Sequence, residues 1–561
     1  MPPLIEAVPN FSEGRDPEII RQIVNRVGSA EGVTVLNVDP GKATNRTVVT
    51  FVGAPEAVVE GAFRGIAAAA ELIDMRRHQG EHPRMGATDV CPLIPIDGVT
   101  MEECAAWARR LGERVGTELG IPVYLYEAAQ PNPARRNLAD IRAGEYEGFA
   151  RKIQDPAWAP DFGPAKLPPK HGATVIGARD FLVAFNVNLN TTSTRRANAI
   201  AFDVREAGRP KRSGDALTGP IETDAAGNPA MIPGTLKAVK AIGWFIEEYG
   251  VAQVSMNLVD LAVTPLHVAF DEVCDKAAAR GIRVTGSELV GLVPLRTMLE
   301  AGRHYLRRQQ RSTGVGDAEL IRIAIRSMGL DELAPFDPQE RIIEYRLGQG
   351  KPGRLAGLSV HQFATETASE SVAPGGGSVA ALVGALGAAL GTMVANLSAH
   401  KRGWDDRWEE FTVAAEEGQR ALARLTTLVD EDTNAFNQVM AAMGLPKGTD
   451  EEKAARRAAI QDATRYAAEV PLAVAETACG VLPLLREMAD RGNPASASDA
   501  AVGALCARTA VLGACLNVRT NLPGLSDTAF VEELLRRVAD LEARAQAAEA
   551  EVLAIAQAKI G

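Results

Sequence analysis

An α/β (α+β) N-terminal half made of two split βαβ-like subdomains, then an all-α helical bundle, is the architecture that hydrophobic spacing assigns to this chain. Two observations carry the assignment. Before residue 330 the apolar positions switch between strand and helix spacing, and after it they keep helix spacing only. With 561 residues the chain also exceeds what one core can organise, so about two to four domains follow.

"GVTVLNVD" (32–39) and "NRTVVTFVGA" (45–54) are β-branched and alternating, which predicts strands. "PEAVVEGAFRGIAAAAELI" (55–73) and "TMEECAAWARRLGERVGTEL" (100–119) repeat at helical spacing. A second set predicts a strand over 172–189, helices over 195–207 and 234–250, a strand over 251–260 and a helix over 265–281. Each set resembles a split βαβ arrangement. Between them lies Pro-rich sequence, "YEAAQPNPARRNL" and "PAWAPDFGPAKLPPKH". The expected domains are therefore 1–172 and 173–330, a turn-rich linker over 331–359, and a helical domain over 360–561. Its expected helices span 360–370, 378–400, 407–443, 451–490, 498–520 and 526–558.

Hydrophobic residues make up 46% and charged residues 23%, as in a globular soluble protein. The net charge of −11 argues against a nucleic-acid partner but allows local basic pockets for acidic small molecules. Six cysteines (Cys91, Cys104, Cys274, Cys479, Cys506 and Cys515) are scattered without a CxxC pair. That pattern predicts free thiols in a reducing cytoplasm and no zinc site. The N-terminal residues lack the basic and apolar regions of a signal peptide. "SVAALVGALGAALGTMVANLSAH" (378–400) is uncharged and long enough to span a bilayer, but it is mostly Ala and Gly. It reads as a buried soluble helix, with no second span elsewhere.

The densest polar cluster of the N-terminal half is "MRRHQGEHPRMGATDVCPLIPI" (75–96), which runs into an apolar strand. Within it His82 precedes Pro83 and is biased towards an extended loop conformation. A histidine there suits acid–base work, and equally a solvated loop. Asp39 ends the first strand, where it could orient an imidazole or simply cap a turn. The loop "PDFGPAKLPPKHGA" (160–173) is stiffened by Pro and made basic by Lys166 and Lys170, so it fits either a clamp for a flat acidic ligand or an interdomain linker. In "APGGGSVAALVGAL" (373–386) three glycines and Ser378 stand at a helix start, which fits an anion site or plain capping by Ser378. "LVDEDTNAF" (428–436) brings Asp430, Glu431 and Asp432 into an amphipathic helix. Only one or two of them can face an interior, and the alternative is a solvated acidic turn. Ser498 and Asp499 stand at another helix start.

Several strings occur together and in family order: "VPNFSEG" (8–14), "NRTVVTFVG" (45–53), "GEHPRMGATDVCP" (80–92), "IRAGEYEG" (141–148), "PDFGP" (160–164), "GARDFLVAFNVNL" (177–189), "GTLKAVKAIGW" (234–244), "AQVSMNL" (252–258) and "GSELVGLVP" (286–294). This set resembles the glutamate formimidoyltransferase family. "APGGGSVAAL", "LTTLVDEDTNAF", "PLAVAET" and "NVRTNL" resemble the cyclodeaminase family that is fused to it in bifunctional members.

The resemblance implies transfer of a formimino group from N-formimidoyl-L-glutamate to tetrahydrofolate, the folate being expected in polyglutamylated form. Cyclodeamination to 5,10-methenyltetrahydrofolate and ammonia then follows, as a step of histidine degradation. It places the transferase histidine on His82 and the cyclodeaminase carboxylate on Asp432; one histidine can move both protons of the transfer if a carboxylate such as Asp39 orients it. The folate loop falls on Gly163, Pro164, Ala165, Lys166, Leu167, Pro168, Pro169, Lys170, His171 and Gly172. It further implies a cytoplasmic homo-oligomer that needs no metal. One departure stands out: the family's His-Asn-Arg triplet is "TNR" here, with Thr44 in the histidine's place. The rival expectation is an active transferase joined to an inert oligomerisation bundle.

Overall fold

The structure is a computed structural model that describes residues 3–42, 45–80, 83–214, 219–224, 226–348 and 353–560. His82 and Thr44 lie outside the described residues. The chain divides into two compact units, one formed by residues 1–297 with 328–349 and the other by 298–327 with 350–561.

The first unit opens with β1 (Leu4–Ala7), β2 (Asn10–Phe11), α1 (Pro17–Gly28), β3 (Thr34–Gly41), β4 (Arg46–Gly53), α2 (Pro55–Leu72), β5 (Thr88–Asp97), α3 (Met101–Glu118) and β6 (Val123–Glu127). Short helices α4 (Leu138–Arg142) and α5 (Glu145–Lys152) lead to β7 (Thr174–Ala178). These strands form one mixed sheet in the order β1-β4-β2-β5-β7-β6, with β3 on β4. One face packs against α1, α2 and α3 through Phe11, Phe51, Ile66, Leu93 and Leu111. The other face, over β5, β6 and β7, is covered by Ile141, Phe149 and Ile153 from the α4–α5 region.

A second, antiparallel sheet follows. Its elements are β8 (Val183–Leu189), α6 (Thr194–Val204), β9 (Arg209–Pro210), β10 (Met231–Ile232), β11 (Val239–Ile246), β12 (Val251–Leu258), α7 (Leu266–Ala278) and β13 (Val284–Val290). The strand order is β11-β12-β8-β13, with β9 and β10 as a separate hairpin. Two expectations fail here. The stretch 172–189 is two strands, because the chain breaks at residues 179–182. The stretch 234–250, expected to be a helix, contains β11. Its burial alternates from Val239 to Trp244, and strand period, not helix period, governs it. Gly243 allows α6 to pack directly on the strand: a Cβ there would fall 2.2 Å from the Asn198 nitrogen.

The second unit takes most of α8 (Leu295–Arg308), most of α9 (Asp317–Met328), α12 (Val360–Thr367), α13 (Gly376–Ala399), α14 (Trp408–Met443), α15 (Asp450–Arg491), α16 (Ala497–Asn521) and α17 (Thr528–Ile560). The short α10 (Pro338–Arg341) and α11 (Ile343–Arg346) belong to the first unit. Small residues line the bundle core: Ala381, Ala388, Ala395, Ala475, Ala504 and Ala514 are all fully buried. Such residues let helix axes approach closely. One expectation needs correction. Three helices, not one, are long and apolar enough to cross a membrane by length and composition, at Gly376–Ala399, Asp450–Arg491 and Pro494–Asn521. Small apolar residues raise mean hydropathy in all three, and half or more of each apolar window is buried inside the protein.

Candidate functional sites

In the first unit, strand register gathers a polar group on one sheet face. Asp39 lies opposite Val48, and Val48 lies opposite Asn10. Residues paired across a sheet share a face, so Asp39 and Asn10 stand on one face two strands apart, roughly 10 Å. Arg46 is two residues from Val48 on the same strand and joins them there. Its guanidinium donates to the Asn10 side-chain oxygen. Asp39 itself is exposed at the end of its edge strand.

The loop between α2 and β5 carries His82, and its described flanks are fixed at many points. Met75 N–H donates to Lys170 O at 2.8 Å. His78 Nε2 lies 2.8 Å from Asn45 O, and the Asn45 side-chain amide donates to Gln79 O at 2.9 Å. Asn45 also accepts from Gly14 N–H at 3.0 Å, so it ties the "VPNFSEG" loop to the histidine loop. Beyond His82, Tyr146 N–H donates to Arg84 O at 2.8 Å, and Met85 N–H donates to Asp89 at 3.1 Å.

Charge accumulates around this loop. Arg84 is largely buried and donates to His78 Nδ1 at 3.3 Å, to Glu145 at 2.9 Å and to Glu147 at 2.6 Å. The Arg84 hydrogen bond holds the Glu147 carboxyl below its usual range. Asp89 is 1% exposed and pairs with Arg142 at 2.6 Å. Burial pushes the Arg46 guanidinium down to about 10; Asp89 opposes the shift and Arg142 adds to it. Even so, Arg46 is still a cation at neutral pH.

The loop of residues 163–172 closes the same region. Gly172 has φ +69 and sits so close to Met85 O that a Cβ would approach it to 2.3 Å. Ala87 N–H donates to His171 O at 2.8 Å, and Gly172 N–H donates to Pro168 O at 2.9 Å. Tyr146 O–H donates to Pro169 O at 2.5 Å. Gly163, Pro164, Ala165 and Lys166 are exposed. The Lys170 ammonium donates to Glu71 O at 2.6 Å, so it pins the loop to the end of α2. Burial pulls the half-buried His171 ring below the usual imidazole range.

In the second unit the three acids of "LVDED" separate by direction, as their spacing around α14 requires. Asp430 accepts Leu355 N–H at 2.8 Å and Ala356 N–H at 3.0 Å. Glu431 pairs with Arg424 at 2.7 Å. Asp432 faces the start of α13: its carboxylate accepts the Ser378 hydroxyl at 3.0 Å. Thr433 Oγ1 lies 3.2 Å from the same hydroxyl. Ser378 is not an N-cap. The helix begins at Gly376 with Gly375 as cap, and Ser378 is fully buried in the first turn. Gly377 makes room for the acid, since a Cβ there would fall 2.1 Å from Asp432 Oδ1. The Asn517 amide of α16 borders Gly376 at 3.3 Å from where its Cβ would be. Burial raises the Asp432 carboxyl above its ordinary range, while the Ser378 hydroxyl and backbone N–H partly offset the rise. Asp499 stands half-buried in the first turn of α16.

Sequence reasoning missed the individual roles of Asn10, Asn45, Arg46, Arg84, Arg142, Thr433 and Asn517. Most of them lie inside the quoted strings, but nothing in spacing shows that they converge. Among the described residues no group of three or more His, Cys, Asp or Glu side chains is placed to hold a metal ion.

Comparison with known proteins covers almost the whole chain. Residues 4–179 match the "formiminotransferase domain, N-terminal subdomain" family, residues 184–348 the "formiminotransferase domain" family, and residues 359–540 the "formiminotransferase-cyclodeaminase" family. The chain is 46% identical to the formimidoyltransferase-cyclodeaminase of Sus scrofa, over 98% of each chain. It is 40% identical to the glutamate formimidoyltransferase of Streptococcus pyogenes, over 54% of this chain and 94% of that one. It is also 39% identical to the methenyltetrahydrofolate cyclohydrolase of Methylorubrum extorquens, over 36% of this chain and 97% of that one.

Proposed function

The chain belongs to the formimidoyltransferase-cyclodeaminase family, and from that premise we propose how its two sites work. It is a bifunctional enzyme. The first site transfers the formimino group from N-formimidoyl-L-glutamate to tetrahydrofolate. The second converts 5-formimidoyltetrahydrofolate to 5,10-methenyltetrahydrofolate and ammonia. The single observation that carries this reading is the family match along both halves at 46% identity.

In the transfer, N5 of the folate attacks the amidine carbon, and the bond from that carbon to the glutamate nitrogen breaks. His82 takes the N5 proton and returns it to the leaving nitrogen, and Asp39 orients the ring. Arg84 and Arg142, paired with Glu145, Glu147 and Asp89, brace the loops around the site. The residues Gly163 to Gly172 hold the folate, with Lys166 and Lys170 as exposed cations of that loop. In the second reaction N10 attacks the same carbon and the bond to the amino nitrogen breaks. Asp432 moves the N10 proton to the departing ammonia; burial raises its carboxyl above the ordinary range, which makes it a better proton acceptor than an exposed aspartate. Apart from the carbon–nitrogen bonds made and broken, both reactions need only the proton transfers that His82 and Asp432 provide, with no metal. The two sheets are read as two subdomains of the split βαβ kind.

Polyglutamylated folate as substrate, a role in histidine degradation and residence in the cytoplasm form part of the same reading. All six cysteines are free thiols, which suits a reducing compartment. An exposed apolar stripe on α13 and α16, with Leu386, Leu397, Val502 and Leu516, favours self-association.

The experiment follows both steps in one cuvette. Formimidoylglutamate and tetrahydrofolate should give a near-ultraviolet rise from the methenyl product together with ammonia. His82→Ala should lose about 10²–10⁴-fold in transfer and keep cyclodeamination of supplied 5-formimidoyltetrahydrofolate. A loss in transfer below about threefold rejects His82 as the acid–base group. A second reading, hydrolysis of the methenyl product, is favoured by the cyclohydrolase relative. It would appear as decay of the same absorbance faster than in buffer.

A further inference from the structure

Behind the second sheet lies a cavity that the proposed chemistry does not use. It occupies about 340 Å³ between α6 and the β9 strand and is lined by Arg195, Asn198, Phe202, Arg209 and Arg212. The volume falls in the range of small-molecule sites. Three of its lining residues are arginines and none is an acid, in a chain whose net charge is −11.

The surroundings make the excess of positive charge real. Asp203 follows Phe202 of the cavity wall in sequence, and two guanidinium groups already share it: Arg209 at 3.1 Å and Arg280. Arg205 adds another cation over the Phe202 ring, at 4.0 Å from its centroid. Arg212 donates to Gly219 O at 2.6 Å, which holds its head in place. Arg195 is exposed, and among the described residues it makes no ion pair.

The wall is also rigid. Asn198 clamps α6 to the edge strand β11: its side chain accepts Gly243 N–H at 2.9 Å and donates to Gly243 O at 3.0 Å. The cavity lies on the helix-covered side of the sheet. The polar ladder Trp244–Gln253–Asn188 lies on the other side, since successive residues of a strand face opposite ways. A preformed concave site with clustered guanidinium groups and an aromatic wall recognises oxyanions with planar or bidentate geometry.

We propose that this cavity binds a small molecule carrying clustered oxyanions, held by Arg195, Arg209 and Arg212 against Phe202. Two sources share that chemistry, a phosphate ester and an oligocarboxylate. The experiment uses the full chain at low ionic strength, with AMP and citrate as separate probes in isothermal titration. At least one probe should bind with Kd under about 1 mM. Arg195→Gln/Arg212→Gln should weaken it at least about tenfold, with unchanged thermal melting and unchanged transfer and cyclodeamination rates. Arg195→Glu, a charge reversal at an exposed position, should do the same alone. Binding of AMP only assigns the phosphate source, and binding of citrate only assigns the carboxylate source. Absence of binding by both probes overturns the proposal, as does binding that survives in both variants.

Discussion

The Ser378 hydroxyl donates to the Asp432 carboxylate at 3.0 Å, from the first turn of one buried helix to the middle of another. That bond stabilises the anion, while burial favours the neutral acid. The two effects set where Asp432 exchanges its proton. Asp432→Asn keeps the shape and removes the titration. Cyclodeamination should fall by about 10²–10⁴-fold, with transfer unchanged, so 5-formimidoyltetrahydrofolate accumulates without methenyl absorbance. Ser378→Ala removes only the donor. The Asp432 pKa should rise further, and the ascending limb of the cyclodeaminase pH profile should move up by about one unit. An unmoved limb would show that Asp432 is not the group being read.

Asp430 should behave oppositely. It accepts two backbone N–H groups from Leu355 and Ala356, and it faces away from Ser378. Asp430→Ala leaves those donors without their acceptor and should destabilise the helical unit by about 1–3 kcal/mol. The rate per folded molecule should stay near that of the parent. Chemical denaturation followed by circular dichroism, with activity measured alongside, separates the two effects. A loss of rate without a loss of stability would move the shuttle to Asp430.

How much of this was legible in advance depends on the range of the interaction. The helices of the C-terminal half follow local apolar spacing, and the expected 451–490 is observed as Asp450–Arg491. In the segment 234–250, "GTLKAVKAIGW" fits helical spacing locally although the segment contains a strand. Only the approach of α6 over Gly243 and pairing with β12 decide for a strand. The three acids of "LVDED" could be ranked by direction but not by partner. Ser378 is 54 residues from Asp432 in sequence, and no periodicity links them. Arg142 and Asp89 are likewise 53 residues apart. Ser378 read locally as a cap because Ser at a helix start is usually one. The tertiary contact with Asp432 overrides that preference.

Lys166 and Lys170 share a loop but not an environment. Both are exposed, but the Lys170 ammonium is committed to Glu71 O. Lys166→Ala should raise the KM for tetrahydrofolate several-fold at low salt, with kcat and the KM for formimidoylglutamate unchanged. Added salt should shrink the difference, as expected for an exposed charge. Lys170→Ala should instead lower thermal stability and disturb both substrates, because it loosens the loop at its base. Equal effects of the two substitutions on folate KM alone would contradict this division.

Glu6 supplies a test of fold energetics away from both sites. It is 2% exposed in β1. Burial pushes its carboxyl up to about 8; Arg179 opposes the rise and Glu344 adds to it. In the unfolded chain the same group titrates in the ordinary glutamate range, about 4.3. The folded state therefore holds a proton that the unfolded state has released, throughout the window from that ordinary value to about 8. Stability falls wherever the folded state binds more protons as pH rises. Glu6 should thus cost little below the ordinary glutamate range and progressively more as pH climbs towards 8, up to a few kcal/mol. Glu6→Gln removes the titration with almost no change of volume. The variant should match the parent at pH 5 and exceed it in stability at pH 8, with both measured by urea denaturation of the full chain. A variant that is less stable than the parent at pH 8 would mean that Glu6 is ionised there and held by Arg179, and the assignment of a buried neutral acid would be wrong.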